Sequence, residues 1–541
     1  MKVLSVKPGH DGSLAYVDSG RLVFCFEAEK DSFDRHADVS ASVILQALER
    51  CPEAPDVVAI GGWHKVLPGH SGGFEAGYLG LELGELRPSR IFGRDTLTYS
   101  SSHERSHIIG GIAMSPFDPR QDIAVLVWEG VIGSIYRWRA GGRAIEAHPV
   151  LDQPGARYSA LYALADPAFP GTGAFVPSVY AGKLMALAGL ADGYPPAADS
   201  RQVVDTLLSR RSMYPFHKDL FGASPLHNAG LDNPELWRAA RYLTDRMFAV
   251  FHRAACRLLP AGLPLVIVGG CGLNCEWNRA WRECGHFTEV FVPPCADDSG
   301  SAIGTAVDAE VAAGELPLLT WDVYAGAEFV HDCRPSDGWV DRQADPSALA
   351  EVIADGSVVA WVTGRCEIGP RALGHRSLLA RATDPASRDT LNRMKGREWY
   401  RPIAPVCLAD DLGRWFDHDD PDPYMLFFRR VTAPTVIPAV THADGSARVQ
   451  SVDGGPLADL LRAYRAGSGI GVLCNTSLNY NGKGFINRMS ELTAYCERVG
   501  IYHAVVNGRW WQRARVESHP SPSEENGLSA DAFALREGRV P

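Results

Sequence analysis

Residues 364–405, GRCEIGPRALGHRSLLARATDPASRDTLNRMKGREWYRPIAP, concentrate positive charge in an acidic chain. The segment contains nine Lys or Arg against four Asp or Glu, whereas the 541-residue chain carries a formal net charge of -11. Arg371, Arg376, Lys395 and Arg401 lie among Gly, Pro and small residues. Gly and Pro favour loops, which can direct guanidinium and ammonium groups inward onto phosphate oxygens. The segment therefore indicates an anion-binding site, with a solvated basic surface as the alternative.

The composition indicates a globular protein. Apolar residues make up 46% of the chain and charged residues 22%, and the length corresponds to roughly three to four domains. The first residues, MKVLSVKPGHDG, do not predict a signal peptide, and no apolar run approaches the roughly 18 residues of a membrane helix. Twelve cysteines without a CxxC pair predict reduced thiols and a cytoplasmic protein. The acidic balance predicts no nucleic-acid partner, and no membrane partner is expected.

The N-terminal residues predict a three-stranded meander, with strands at residues 2–6, 13–17 and 21–27. Its first turn, KPGHDGS, places His10 and Asp11 between two glycines, where the backbone can approach a phosphate or a reacting group closely. From these residues alone, an ordinary hairpin turn remains the alternative.

A pair of histidines follows at helical spacing in SSHERSH, residues 101–107. Ser101 or Ser102 can cap the helix, and His103 and His107 then lie one turn apart on the same face. Two imidazoles at this separation can bind one metal ion. Two unrelated core or surface histidines would give the same pattern, so the residues alone leave both interpretations open.

The middle of the chain alternates strands and helices. A strand at 124–128 ends in Glu129, and a helix at 233–260 is capped by Asn233. A strand at 265–268 leads into the Gly-rich turn GGCGLNC, whose backbone N–H groups can meet a phosphate. A strand at 289–292 precedes Asp298, which by itself is no more than a helix N-cap. Further predicted elements are helices at 41–50 and 349–353 and strands at 56–61 and 358–362.

Motifs spread from His10 to Asn487 resemble one family, the O-carbamoyltransferases of nodulation (NodU) and antibiotic biosynthesis. That family includes the cephem, aminoglycoside, ansamycin and macrolide carbamoyltransferases. The matching motifs include GHDG, HERSH, GGCGLNC, PCADDSG, GPRALGHRSLLA, LNRMKGREWYRPIAP and NTSLNYNGKG, in the family's order. Lys483 and Phe485 replace the family's commoner Glu and Ile.

The resemblance implies a mixed α/β and α+β fold with two sites. An actin-like (ASKHA) domain, close to the threonylcarbamoyl transferases, would span residues 1–340. A linker near 335–346 would lead to a YrdC-like domain at 347–512, and a tail with one short helix at 530–536 would follow at 513–541. The YrdC-like domain would make carbamoyl adenylate from carbamoyl phosphate and ATP with Mg²⁺. The actin-like domain would pass the carbamoyl group to a hydroxyl of a secondary metabolite.

The resemblance also implies roles for individual residues. His103, His107 and Asp298 would bind Fe(II) or another divalent metal, with Glu129 a fourth ligand where the family usually has Asp. His10 is the candidate base on the acceptor hydroxyl. Residues implied to hold the adenylate in the transfer domain are Gly269, Gly270, Asn274 and Lys183. Residues implied to bind carbamoyl phosphate and ATP are Arg371, Arg376, Lys395, Arg401, Arg448, Asn475, Ser477 and Asn479, with Lys395 and Arg401 also catalytic.

Two other functions are compatible with parts of this pattern. A tRNA threonylcarbamoyl-type enzyme would share the N-terminal motifs, although the acidic surface argues against it. An actin-like ATPase or sugar kinase would give the basic segment no role. The expected partner is a small-molecule alcohol acceptor, and a homodimer is compatible with the sequence. Residues 63–98 have no chemical assignment and could shape the acceptor pocket.

Overall fold

The computed structural model describes residues 1–62, 77–140, 144–336 and 338–514. Among them, the first sheet is built from β1 (Lys2–Lys7), β2 (Ser13–Asp18), β3 (Arg21–Glu27), β4 (Val57–Gly61), β5 (Arg87–Ile91) and β6 (Arg94–Ser101). Strands β1 to β3 form an antiparallel meander, and β4 and β6 add to β1 in parallel. Its helices are α1 (Ala28–Ser32), α2 (Ala41–Arg50) and α3 (His103–Met114).

A second sheet repeats this topology. It consists of β7 (Ile123–Trp128), β8 (Gly133–Trp138), β9 (Ile145–Pro149), β10 (Leu265–Val268) and β11 (Val290–Phe291). Again a meander of three strands is followed by two strands parallel to the first, in the order β11-β10-β7-β8-β9. The helices in this stretch of the chain are α4 (Pro154–Ala165), α5 (Val179–Ala188), α6 (Ala198–Ser209), α7 (Pro234–Leu258), α8 (Cys275–Glu283) and α9 (Ser301–Ala312). The last helices cross over: α9 packs on the first sheet, and α3 packs on the second. This internal duplication is what an actin-like fold requires.

The C-terminal part has a mixed sheet in the order β12-β21-β20-β13-β14-β19-β15-β18. The strands are β12 (Trp339–Gln343), β13 (Val359–Val362), β14 (Arg376–Arg381), β15 (Ala404–Leu408), β18 (Gln450–Val452), β19 (Val472–Ser477), β20 (His503–Val506) and β21 (Arg509–Arg513). Strands β16 (Arg429–Arg430) and β17 (Ser446–Ala447) pair separately. The helices are α10 (Pro346–Ala354), α11 (Ala386–Met394), α12 (Leu412–Trp415), α13 (Gly455–Ser468) and α14 (Met489–Val499).

The two duplicated halves meet along α3 and α9. A Cβ atom on Gly110 would lie 3.0 Å from Cα of Gly304, so the absence of side chains lets the two helices pack closely. At the same contact, the Arg105 guanidinium forms a buried ion pair of 2.8 Å with Asp308. The pairs Gly110–Gly304 and Arg105–Asp308 show that α3 and α9 run antiparallel, and their packing brings His107 of α3 next to Asp298, just before α9.

A buried ion pair of the first half, Lys30–Glu27, is hydrogen-bonded to the backbone of the C-terminal part. Lys30 Nζ lies 2.8 Å from Glu27 Oε1 and donates to the carbonyl of Gly369 at 2.9 Å. The Gly369 N–H in turn donates to Glu27 Oε1 at 2.7 Å. Apolar residues 368 and 373 enter the same core as Val3. The basic segment therefore begins at an interface between the two parts of the chain.

The structure confirms the predicted meander and the strand at 265–268. It also confirms the long helix, which spans Pro234–Leu258 with Asn233 as its N-cap. The linker prediction for 335–346 was wrong in part, because β12 lies within it and pairs with β21 at the sheet edge. A domain boundary at 340 would divide β12. Residues 63–76 and the tail from 515 onward, including the helix predicted at 530–536, lie outside the described residues.

None of the described helices has both the length and the apolar character needed to cross a membrane.

Candidate active site

Four side chains predicted as metal ligands converge at the contact between the duplicated halves. His103 and His107 lie on the first two turns of α3, Glu129 follows β7, and Asp298 starts the short turn before α9. His103 Nε2 lies 3.1 Å from Glu129 Oε2, and His107 Nε2 lies 3.2 Å from Asp298 Oδ1. All four ligand atoms lie within 4.8 Å of one another. This buried set of two imidazoles and two carboxylates suits a divalent metal ion.

The charges of this cluster keep its carboxylates ionised. Burial alone would raise the pKa of Glu129, but His103 offsets this and the pKa falls below its usual value. Burial also opposes ionisation of Asp298, yet His103 and Lys7 hold its pKa well below the usual value. Lys7 Nζ lies 3.3 Å from Asp298 Oδ2. The cluster therefore offers two anionic ligands at neutral pH.

Tyr78 contacts two of the four ligand residues, Glu129 and His103. Its hydroxyl donates a hydrogen bond of 2.6 Å to Glu129 Oε1, and its ring stacks on His103 with centroids 4.3 Å apart. Partners of this kind orient ligands and tune their basicity. The longer Glu129 side chain, placed where the family usually has Asp, is held in position by this contact.

His10 lies in the first turn and forms a cluster with two neighbours. Its Nδ1 lies 2.8 Å from Asp11 Oδ2, and Asp11 Oδ1 lies 2.7 Å from Nδ1 of His36. The two imidazole rings stack with centroids 4.5 Å apart. Burial lowers the pKa of His10, but the hydrogen bond to Asp11 outweighs this, and the net pKa is raised. Lys7 connects the turn to the metal cluster by bonding both the His10 carbonyl and Asp298.

The Gly-rich turn after β10 has a backbone that glycine permits. Gly269 has a φ of 91°, and a Cβ atom there would lie 2.5 Å from the carbonyl oxygen of Trp128. Gly270 begins the turn Gly270–Leu273. Asn274 caps α8, because its Oδ1 accepts hydrogen bonds from the backbone N–H groups of residues 276 and 277. The side-chain oxygen of Asn274 is therefore already engaged in helix capping.

Lys183, predicted to hold the adenylate in the transfer domain, lies where the two parts of the chain meet. Its Nζ is 2.6 Å from Glu398 Oε1 in the basic segment and lies over the rings of Tyr162 and Tyr180. The same carboxylate group has its other oxygen 3.8 Å from Arg401. Lys183 thus faces the anion-binding residues of the C-terminal part.

Several basic residues of the C-terminal part form a cluster in which Lys395 is buried and Arg371, Arg397 and Arg401 are half-buried. Burial lowers the pKa of Lys395 well below its usual value, and the charges of Arg397 and Arg401 lower it further. Burial followed by the charge of Arg401 lowers the pKa of Arg397 to about 9. Burial and the charge of Arg448 likewise lower the pKa of Arg371 to about 9. Buried cations that repel one another in this way are stabilised by a bound polyanion.

Lys395 lies against the strand β19 and the loop that follows it. Its Nζ donates 3.0 Å to Ser477 Oγ and also contacts Asn479 Oδ1, and Ser477 Oγ donates 2.7 Å to the same oxygen. Asn475 donates from Nδ2 to Gln450 Oε1 at 2.7 Å, farther along the strand. The structure therefore brings Lys395 into contact with Ser477 at the end of β19 and with Asn479 just after it, whereas Asn475 bonds Gln450.

Arg376 differs from the other basic residues. It begins β14, is fully buried, and donates to Asn487 Oδ1 at 2.8 and 2.9 Å and to the carbonyls of residues 363, 364 and 375. Its guanidinium thus binds the loop at 363–375 to the chain near Asn487. The expectation that this residue lies in a loop facing phosphate does not match its place in the strand.

Arg371 connects the two sites. Its Nη2 donates to the carbonyl of Leu273 at 2.8 Å, at the end of the Gly-rich turn. The charges of Arg371 and Arg448 both act on the pKa of the buried Cys275 thiol, which burial raises. Guanidinium groups of the C-terminal part therefore reach the glycine turn of the transfer domain.

Sequence reasoning overlooked several residues of these sites. Lys7 follows the predicted strand at 2–6, Tyr78 lies in the unassigned residues 63–98, and His36 was given no role. A lysine at the end of an apolar strand, two residues before GHDG, was the signal that could have identified Lys7. Arg397 stood among the basic residues of the segment, although no role was assigned to it.

Comparison with known proteins identifies the class. Residues 80–307 match the family model described as carbamoyltransferase N-terminus, and residues 350–513 match carbamoyltransferase C-terminus. The chain belongs to the carbamoyltransferase family. It is an enzyme of that family, an O-carbamoyltransferase.

Two groups of curated relatives cover nearly all of the chain. A 3'-hydroxymethylcephem-O-carbamoyltransferase of Streptomyces clavuligerus is 50% identical over 517 residues, covering 95% of this chain and 99% of that protein. Nodulation protein U of Sinorhizobium fredii is 35% identical, also covering 95% of this chain and 99% of that protein. Among solved structures, the activator of the 2-hydroxyisocaproyl-CoA dehydratase from Clostridium difficile is 11% identical. It covers 58% of this chain and 96% of that chain with a TM-score of 0.33, too distant to bear on function.

Proposed function

We propose that the protein makes carbamoyl adenylate from carbamoyl phosphate and ATP and transfers the carbamoyl group to the hydroxymethyl group of a cephem in antibiotic biosynthesis. The observation that carries the proposal is the buried cation cluster around Lys395, Arg397 and Arg401. The acceptor follows from the names of relatives that are 50% and 49% identical to this chain.

Adenylate formation belongs to the C-terminal part, which we assign a YrdC-like fold. There water cleaves the P–O bond of carbamoyl phosphate and releases phosphate and carbamate; a carbamate oxygen then attacks the α-phosphorus of Mg²⁺-bound ATP, and pyrophosphate leaves. The anionic substrates repel each other, and the buried Lys395 with the half-buried Arg397 and Arg401 offsets that repulsion. Arg371 and Arg448 extend the positive charge toward the Gly-rich turn.

The four converging ligands fit Fe(II), with Mn(II) or Zn(II) as alternatives of similar ligand preference. A divalent ion bound there supplies Lewis-acid polarisation of the carbamoyl carbonyl. Tyr78 and Lys7 would keep Glu129 and Asp298 oriented and ionised for this task. Asp308, which lies close by on α9, is committed to Arg105 and so is excluded from the ligand set.

Transfer to the acceptor requires a base on the acceptor hydroxyl, and we assign this role to His10. Its Nδ1 bonds Asp11, so Nε2 is the basic nitrogen of the neutral ring. The oxygen of the deprotonated hydroxyl forms the new bond to the carbamoyl carbon, the bond to the adenylate oxygen breaks, and AMP leaves. The turn that carries His10 is connected to Asp298 through Lys7.

Product analysis tests this function directly. Purified protein is incubated with ATP, Mg²⁺ and carbamoyl phosphate, first alone and then with a 3'-hydroxymethylcephem. We expect AMP and pyrophosphate only when carbamoyl phosphate is present, and a carbamoylated cephem by mass spectrometry once the acceptor is added. Arg401→Ala should abolish both products. Formation of ADP, or AMP that is independent of carbamoyl phosphate, would instead indicate a kinase or ATPase.

A further inference from the structure

Two aromatic rings are stacked beside the transfer site and are open to solvent on one face. The rings of Phe175 and Tyr214 have centroids 4.4 Å apart and an interplanar angle of 11°. Phe175 is 74% exposed, among the most exposed large apolar side chains of the described residues. A flat, solvent-facing ring pair is a surface on which another flat ring can stack.

The protein backbone holds this pair in place. Ala174 and Phe216 form an isolated antiparallel bridge, with hydrogen bonds of 3.0 and 3.3 Å between their backbones. The Gly173 N–H also donates to His217 Nδ1 at 3.2 Å. The loop that carries Phe175 is thus hydrogen-bonded to the loop that carries Tyr214. A ligand that binds the two rings would therefore lose little conformational entropy in ordering these loops.

The pair is linked to residues of both the His10 cluster and the metal cluster. Ser178 is three residues after Phe175, at most about 10 Å along the chain, and its Oγ lies 3.4 Å from Nε2 of His36. The His36 ring stacks on that of His10. On the other side, burial and then the charge of Glu129 raise the pKa of Tyr214, so this ring lies near the metal ligands.

We propose that Phe175 and Tyr214 form a platform against which the unsaturated ring system of the acceptor packs, presenting its hydroxymethyl group to His10. This inference rests on the proposed function and assigns the acceptor subsite of the same reaction. A hydrophobic ring bound here would cover the exposed face of Phe175 while its hydroxymethyl group reaches the turn at Gly9 to Gly12. A ring-free alcohol would reach the same turn without using the platform.

Steady-state kinetics with two acceptors tests the platform. The acceptors are a 3'-hydroxymethylcephem, which has the ring, and allyl alcohol, which has a hydroxymethyl group beside a double bond but no ring. Phe175→Ala should raise KM for the cephem by about 2- to 12-fold, because it removes one aromatic contact to the acceptor, and should change kcat less. KM for allyl alcohol should stay the same. Phe175→Tyr, which keeps the ring, should restore the wild-type KM for the cephem.

Leu220→Ala is the matched control, because Leu220 is a 68% exposed apolar side chain on the same chain segment as Tyr214. It should leave KM for both acceptors unchanged. Circular dichroism and a thermal melt of each variant show that the fold is intact. An unchanged cephem KM in folded Phe175→Ala would overturn the platform, as would an equal rise for both acceptors. Failure of the wild-type protein to carbamoylate the cephem would instead overturn the proposed function.

Discussion

Asp11 Oδ2 lies 2.8 Å from Nδ1 of His10, and the other oxygen of the same carboxylate lies 2.7 Å from His36. One buried carboxylate therefore orients two stacked imidazoles. Burial raises the pKa of Asp11, but its hydrogen bonds to His10 and His36 outweigh this and hold the pKa well below its usual value. Asp11 thus stays ionised and favours the charged form of His10, which sets the pH at which His10 can act as a base.

Replacing Asp11 should move the acid limb of carbamoyl transfer. A base must be neutral, so transfer rises with pH through the pKa of His10, which Asp11 raises. In Asp11→Asn that pKa falls, so the acid limb of kcat/KM shifts to lower pH, and the plateau rate drops roughly 10-fold or more as orientation is lost. Asp95→Asn, at an exposed position, is the control. An acid limb that stays in place in Asp11→Asn would show that another group is the base.

Loss of one ligand should empty the metal site without affecting adenylate formation. His107→Ala and Glu129→Gln are expected to weaken metal binding by more than the roughly 10- to 100-fold that loss of an outer partner costs. The measurements are metal content by mass spectrometry and titration calorimetry of the chelator-treated protein. His418→Ala, an exposed histidine, should bind metal normally. After chelation and return of Mg²⁺ alone, AMP should still form while transfer to the acceptor stops; continued transfer would argue against the site.

Removing the charge of Lys395 should abolish adenylate formation. Lys395→Met keeps much of the side-chain volume but removes the ammonium group that faces Ser477 and Asn479. AMP formation with carbamoyl phosphate should fall by about 100- to 1,000-fold, the usual cost of one transition-state donor. Arg393→Ala, two residues earlier at an exposed position of α11, should retain the wild-type rate. Equal losses in the two variants would point to damage of the helix instead.

The Lys30–Glu27 pair should matter for stability. Lys30→Met leaves Glu27 buried without its cation and is expected to lower the free energy of unfolding by about 3–5 kcal/mol. Burial raises the pKa of Glu27 to about 7 even with Lys30 present. Without Lys30 that pKa rises further, so the remaining stability is present at low pH and is lost as pH rises through it. Urea unfolding of Lys30→Met at pH 6 and pH 8 measures both effects.

A double variant checks the cause of that loss. Lys30→Met with Glu27→Gln removes the uncompensated charge and should recover much of the stability and abolish most of the pH dependence. Equal instability at both pH values in the single variant would mean that lost packing, and not an unpaired carboxylate, is responsible.

Local spacing indicated only one part of the metal cluster, the pair His103 and His107 one helical turn apart. Asp298 and Glu129 were expected from the family resemblance, because side chains that meet only through the tertiary fold leave no local pattern. Lys7 and Tyr78 reach the cluster only through tertiary packing, so their spacing carries no signal. The same holds for β12, a short edge strand with mostly exposed residues, which has no apolar period to distinguish it from a linker.

The basic segment shows the other limit of sequence patterns. Its Gly and Pro content correctly indicated loops around Arg371 and Arg401, but Arg376 lies in a strand and binds protein acceptors. Charge counting cannot separate an arginine that organises a loop from one that faces a ligand. Residues that face a ligand are distinguished only in the folded chain, by the mutual repulsion of Lys395, Arg397 and Arg401.

The close packing of α3 and α9 at Gly110 and Gly304 has a mechanical consequence. His103 and His107 belong to the first half of the duplicated fold, whereas Asp298 and Glu129 belong to the second. Because α3 packs on the second sheet and α9 on the first, a rotation between the halves would move Asp298, just before α9, relative to the two histidines of α3. An ion bound by all four residues would therefore fix one angle between the halves, and loss of the ion would allow that angle to vary.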